Sequence, residues 1–385
     1  MDNTKQLNIE YFSLQSLFWM TYCMVVGFSV TYLLSCGYSN SEAGYILASA
    51  NICALILQPF FADLADRSKK FNAMTIFLVS IEIIFVCSIG LFFIGVRSLI
   101  LTLIYVVMIT LANAVIAFLT SIQFLMDTSK SKINFGLCRA GGSLCFAILS
   151  ALMGIMIERI GMKSIPLALF IITLLIIGLC IFITHHSING NIKAVLTLEK
   201  KRSSSLFVFF KENLRFMILS IAMLFIYYAH AFITNFTISI VRNVGGDNRE
   251  MGYLIAFMAL MELPGMIGFK EISRRFKVSS LLLFSMIMFS IKAIIVWLSP
   301  SLMTLTFGFA LQVVSFAIYI PASVQYANII IDEKDTVKAQ MMFNLMQTGG
   351  AVFSSIIGGW LIDFSGISHA LLIGAILSCI GTMIA

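Results

Sequence analysis

Four ionisable side chains lie deep inside otherwise apolar runs of this sequence: Glu82, Arg139, Glu262 and Lys292. Placing such a group in hydrocarbon costs about 2.5–3.5 kcal/mol, so each is expected to face a wet cavity or a partner. Glu262 and Lys292 have opposite sign, fall on consecutive apolar runs and sit near the middle of each, as a functional pair lining a cavity would, with a purely structural salt bridge the competing reading. Glu82 has no evident partner and reads equally as a residue of such a cavity or as a hydrogen-bonded packing carboxyl. Polar side chains recur at helical spacing elsewhere. Tyr227, His230, Thr234 and Thr237 form one stripe, and Gln312, Ser315, Tyr319, Ser323 and Tyr326 another; Gln15, Trp19 and Tyr22, then Thr110, Asn113 and Thr120, form two more. Hydroxyls, amides and aromatic rings suit a polyhydroxylated ligand, while for any single Ser or Thr a bond back to its own helix is the competing reading. A single histidine among these groups makes no metal site, and the eight cysteines are scattered without a CxxC or Cys/His cluster. No metal or cofactor is expected.

The elements that must position these groups follow from composition. Of 385 residues, 60% are hydrophobic and only 11% charged, and the mean hydropathy is +1.00. Soluble domains carry about 25% charged residues, so lipid is the expected solvent. A water-soluble enzyme and a nucleic-acid-binding protein are excluded, the net charge of +7 notwithstanding. Continuous apolar runs exclude an outer-membrane barrel, whose strands alternate. At about 20 residues per crossing the chain supplies about twelve helices, predicted near 11–35, 43–62, 72–95, 98–122, 138–158, 164–184, 215–241, 250–270, 278–298, 301–329, 340–362 and 367–385. Residues 1–184 then form an N-terminal six-helix half, 185–211 a polar linker and 212–385 a C-terminal half. The first apolar run is too long for a signal peptide's core and is read as a span. Eighteen basic residues fall on one side of this topology and five on the other, which puts the N-terminus and the linker in the cytoplasm.

A duplication is visible at an offset of 205 residues: Pro59 falls on Pro264, Lys69-Lys70-Phe71 on Arg274-Arg275-Phe276, Gly154 on Gly359, Glu158 on Asp363 and Gly161 on Gly366. An even number of spans per half makes this a parallel repeat, an arrangement in which a substrate site forms between halves near mid-membrane.

The segment Ala62-Asp63-Leu64-Ala65-Asp66-Arg67-Ser68-Lys69-Lys70 resembles the G-x-L-a-D-r-x-G-r-k loop of the major facilitator superfamily, with Ala62 and Lys69 in place of its glycines. The resemblance implies a cytoplasmic gate at Asp66, Arg67 and Lys70, echoed in the second half by Glu271 and Arg274. Phe135-Gly136-Leu137-Cys138-Arg139, with Met261-Glu262-Leu263, Ser290-Ile291-Lys292 and a Pro321 that interrupts the tenth span, looks like the lactose-permease-like, oligosaccharide/proton symporter branch. That likeness implies that Arg139 binds sugar hydroxyls through its planar fork and that Phe146, two turns along the same face, stacks on the sugar ring. The branch's helix-4 carboxylate falls near Ser121, with Gln123 and Asp127 as nearest polar substitutes, and its helix-10 histidine and glutamate fall on Phe316 and Tyr319. Protons must therefore use another carboxylate, Glu262 first and Glu82 next, or not be used at all.

The expectation is an all-α membrane protein of twelve transmembrane helices in two parallel six-helix repeats, the major facilitator fold. It would be a monomeric secondary transporter of a cytoplasmic membrane, not an enzyme, moving a sugar or oligosaccharide with protons by alternating access. Substrate contacts are expected from Arg139, Phe146, Asn113, Trp19, Tyr22, His230, Gln312 and Tyr319, and coupling from Glu262, Lys292 and Glu82. The rival readings are a facilitator or exporter of another organic solute, such as an aromatic acid, nucleoside or drug, and, less well supported, a membrane-embedded enzyme or sensor.

Overall fold

The computed structural model of the chain describes residues 3–68, 71–127, 133–185, 209, 212–332 and 335–385. Among them the regular elements are all helices. Ten are long and apolar enough to cross a membrane, and two bent pairs bring the number to twelve when each pair counts as one span. Large apolar side chains such as Phe93, Met303 and Met383 stand fully outward, as lipid allows and water would not.

Two compact units are present, Met1–Tyr38 with Ser49–Leu198, and Ser39–Ala48 with Glu199–Ala385. The linker expected at 185–211 lies, apart from His185 and Phe209, outside the described residues. In the first unit α1 (Asn3–Tyr22) continues through a π-helical turn, Cys23–Gly27, into α2 (Ser29–Ser35) with a bend of 41°. Then come α3 (Asn40–Arg67), α4 (Ala73–Phe93), α5 (Leu99–Ala114), α6 (Ile116–Met126), α7 (Phe135–Ile160) and α8 (Ser164–Ile183). Helices α5 and α6 meet at 42°. The second unit holds α9 (Leu214–Asn235), α10 (Thr237–Asn243), α11 (Asn248–Arg275), α12 (Val278–Leu298), α13 (Leu302–Ala310), α14 (Phe316–Ile330), α15 (Thr336–Phe353), α16 (Gly359–Ser365) and α17 (Ile367–Ile384). Packing repeats as the duplication requires: α1 lies along α7 and α4 along α8, and 205 residues later α9 lies along α15 and α12 along α17.

Three expectations are corrected here. The acidic-basic segment after the second span was expected to be a loop, yet α3 stays helical through Arg67; without glycine at Ala62 nothing breaks the helix there. Its counterpart Glu271–Arg275 is likewise the last turn of α11, with an exposed Arg274–Glu271 ion pair of 2.7 Å one turn apart. The tenth span is interrupted ahead of Pro321 rather than at it. Leu311–Val313 form a 3₁₀ turn, Ser315 leaves helical geometry (φ −87°, ψ −86°), and Pro321 sits inside α14. The residue four before the proline, Ala317, is itself inside α14, so the proline and the position its ring crowds both lie past the break.

The N-terminus of α3 belongs to the second unit and is held by a residue more than 300 positions away. Asp363 accepts from the Ser41 N–H (2.7 Å) and hydroxyl (2.6 Å) and from the Asn40 N–H (3.2 Å) and amide (2.9 Å). A carboxylate there neutralises orphan N–H groups and the positive helix end together.

Candidate functional site

In the second unit, Met258 and Glu262 lie one turn apart on α11, and Phe289 and Lys292 one turn apart on α12. Between the two helices comes the broken tenth span. Gly265 makes this approach possible, because a Cβ on it would run into the Val313 carbonyl and the Ala317 methyl. The 3₁₀ turn thereby delivers Gln312, 1% exposed, to both charges. Its Oε1 accepts from the Lys292 ammonium at 2.5 Å, and its Nε2 donates to Glu262 Oε1 at 2.9 Å. An ammonium only donates and a carboxylate only accepts, so the two charges fix the amide's orientation. Lys292 is itself 1% exposed; its remaining neighbours are Met258 Sδ at 3.8 Å and the face of Phe309 at 5.6 Å. Sequence reasoning paired Glu262 with Lys292; the structure brings them to opposite ends of one amide.

Past the break, where α14 begins at Phe316, is an aromatic cluster. The His230 ring stacks on Phe316 (centroids 4.9 Å, 24°) and meets Phe289 and Tyr227 edge-on at 5.3 and 5.5 Å. Tyr319 packs on Tyr227 and Phe289, and its hydroxyl accepts from Gln347 at 3.3 Å. Among the described residues, the buried His230 Nδ1 and Tyr228 hydroxyl have no hydrogen-bond partner. Thr234, Thr237, Ser315 and Ser323 bond back to their own helices.

The first unit carries a different network. Arg139, at the start of α7, lays its guanidinium 3.9 Å over the Trp19 ring and donates to Ser143 at 2.7 Å. Gly142 makes room for Trp19, since a Cβ there would come within 2.6 Å of the ring. Trp19 Nε1 donates to Gln15, Gln15 to the Tyr11 hydroxyl, and Tyr11 to the Leu119 carbonyl, at 3.0, 2.8 and 2.9 Å. A second string runs from the Tyr22 hydroxyl to Asn113 (3.0 Å), from Asn113 to Asn51 (3.0 Å) and from Gln58 to the Asn113 carbonyl (3.2 Å). Trp19 and Tyr22 join the two strings, ring to ring at 5.3 Å. Phe146 is half-buried beside Gly27. Asp127 accepts from the Ile133 N–H at 2.8 Å.

A family model described as the MFS_1 like family matches residues 7–372. The chain belongs to that family, within the major facilitator superfamily. It is a multi-pass membrane transporter and not an enzyme. The chain is 21% identical over 347 residues to the maltose permease of Geobacillus stearothermophilus, covering 90% of this chain and 85% of the permease. Its fold is similar to that of the nucleoside transporter NupG, with a TM-score of 0.79 and 14% identity over 100% of this chain and 97% of the other. A bacterial homolog of the human lysosomal transporter Spinster gives 0.71 and 12%, over 100% and 96%.

Of the side chains singled out from the sequence, Arg139, Trp19, Tyr22 and Asn113 share one set of contacts, and Glu262, Lys292, Gln312, His230 and Tyr319 another. Glu82 joins neither: it faces outward from α4 among the exposed Val79, Ile83 and Val86. Lys70 and the side chains of Asp66 and Arg67 lie outside the described residues. Sequence reasoning missed Ser143, Asn51, Gln58 and Gln347 as partners. Ser143 carried a usable signal, four residues after Arg139 on one helix face; the others are reached only through inter-helix packing.

Proposed function

We propose that the protein is a secondary transporter of a sugar or oligosaccharide, coupled to protons and working by alternating access in a cytoplasmic membrane as a monomer with its N-terminus inside. The observation that carries this reading is the Lys292–Gln312–Glu262 bridge. A buried ammonium needs a compensating anion in a low-dielectric interior, and the amide passes that requirement to Glu262. Protonating Glu262 strands Lys292, so the protonated form persists only in a conformation that offers the ammonium something else. Proton loading and conformational change are thereby linked.

Substrate class is read from the other network. The Arg139 fork, backed by Trp19, together with the amides and hydroxyls of Asn113 and Tyr22, suits a ring bearing several hydroxyls. Phe146, His230, Gln312 and Tyr319 are the further substrate contacts, and Asp66, Arg67, Lys70, Glu271 and Arg274 carry the cytoplasmic gate. The likeness to a maltose permease supports a saccharide. A second reading, a nucleoside, is favoured by one observation: rings crowd His230, whose buried Nδ1 has no partner among the described residues and is open to a nucleobase.

The test is a substrate panel on purified protein in proteoliposomes under an imposed inward proton gradient. Uptake of a disaccharide such as maltose, with uridine excluded, is the expected result. Uptake of uridine with maltose excluded transfers the assignment to the nucleoside reading.

A further inference from the structure

The second unit contains a cavity of about 450 Å³ that neither polar network uses. It lies at the end of the bundle where α9 and α12 begin and α14 finishes, with Ile384 and Ala385 among its lining residues. Its polar lining comes from Arg215 on α9, Ser279 and Ser280 in the first turn of α12, and Tyr326 on α14. The rest is apolar. Leu282 and Met286 are buried at its back, while Ile218 and Leu283, each more than 40% exposed, line it and also face outward, where hydrocarbon would lie.

Three features of the polar end favour a phosphate. Arg215 offers a fork of donors matched to phosphate oxygens. The residue ahead of α12, Lys277, makes no side-chain capping bond to that helix, so its first N–H groups, next to the Ser279 and Ser280 hydroxyls, retain their capacity for an anion. Among the described residues, no side-chain hydrogen bond occupies Arg215, Ser279, Ser280 or Tyr326. Around the opening Arg275 and Lys277 stand exposed, and basic side chains at a membrane surface attract anionic lipid at about 1 kcal/mol each. Apolar walls that open sideways distinguish the occupant from a free ion: they suit a molecule whose charged head sits against Arg215 while its chain lies over Ile218 and Leu283.

We propose that this cavity is a binding site for the phosphate headgroup of an anionic phospholipid. The proposal is independent of the transported substrate. The full chain is reconstituted in nanodiscs of phosphatidylcholine alone or with phosphatidylglycerol, and lipid retention is measured by native mass spectrometry. The wild type should retain phosphatidylglycerol in preference to phosphatidylcholine. Arg215→Gln should weaken that preference about tenfold or more, the effect of losing one charge-assisted contact, and Leu283→Trp, one turn along α12 from Ser279 and Ser280, should abolish it by filling the cavity. Equal retention of the two lipids by the wild type, or an undiminished preference in both variants, overturns the site. Inorganic phosphate that displaces phosphatidylglycerol at millimolar concentration overturns the lipid assignment in favour of a soluble anion.

Discussion

Replacing Gln312 by methionine removes both ends of the bridge while nearly conserving volume, so the cavity and overpacking terms stay small. The lost bonds run to an ammonium at 2.5 Å and a carboxylate at 2.9 Å. Hydrogen bonds to charged groups are worth about 1.5–3 kcal/mol each, and deleting one member of a buried charged arrangement costs about 3–5 kcal/mol. The two estimates overlap, and Gln312→Met should lose about 3–5 kcal/mol. At roughly 2–4 °C per kcal/mol for a unit of this size, unfolding in detergent should shift downward by about 10 °C. Most of the cost falls on Lys292, 1% exposed, whereas the half-buried Glu262 can recover hydration. The double variant Gln312→Met/Lys292→Met should therefore be more stable than Gln312→Met alone. Thermal unfolding of the parent, both singles and the double closes this cycle. A Gln312→Met protein that melts within about 2 °C of the parent, or a double variant less stable than the single, refutes the reasoning.

Arg139→Lys should be nearly as impaired in substrate affinity as Arg139→Ala, since a point-charge ammonium reproduces neither the fork nor the flat contact over Trp19; binding titrations of the two variants decide it. Gly265→Ala should cost about 1–3 kcal/mol and slow transport despite normal membrane insertion, because its methyl pushes the Val313 turn and Gln312 away from Glu262; melting and uptake are read on the same preparation. Asp247 caps α11, and its carboxyl is held below the usual range by its hydrogen bond with Glu250 and by the Arg249 N–H at 2.7 Å. A depressed folded value means that its contribution is complete above the unfolded value near 4 and disappears as pH falls through the folded one. The stability gap to Asp247→Ala, about 0.5–2 kcal/mol at neutral pH, should close in acid; a gap that widens there contradicts the capping account.

Sequence alone was enough for the span number, because each span is a long uninterrupted apolar run, and for the duplication, because Pro59/Pro264 and Gly154/Gly359 recur at one offset. It also identified the residues of both networks better than their wiring. Glu262, Lys292 and Gln312 could each be named from charge or periodicity, but the bridge depends on a helix break at Leu311–Ser315 that shifts the phase of everything before it. No glycine or proline marks that break; the nearest proline, Pro321, is six residues past Ser315. The acidic-basic segments were expected as loops from motif resemblance, and the alanine at 62 was the clue that α3 continues. Glu82 was flagged by depth in the span, a one-dimensional measure that cannot say which face of a helix a side chain occupies. Asn51, Gln58 and Gln347 carried no signal because their partners lie on other helices.

The central claim is that Glu262 couples protons to substrate movement, and Glu262→Gln in proteoliposomes tests it most directly. Glutamine keeps the donor and acceptor shape of a protonated carboxyl but cannot release a proton. Parent and variant are compared in two assays on the same vesicles: accumulation of substrate against its gradient under an imposed proton gradient, and exchange of internal for external substrate with no proton gradient. The predicted result is that the parent performs both, while Glu262→Gln exchanges at a rate near the parent's and accumulates nothing. A variant that still concentrates substrate, together with substrate-induced proton movement equal to the parent's, contradicts the account.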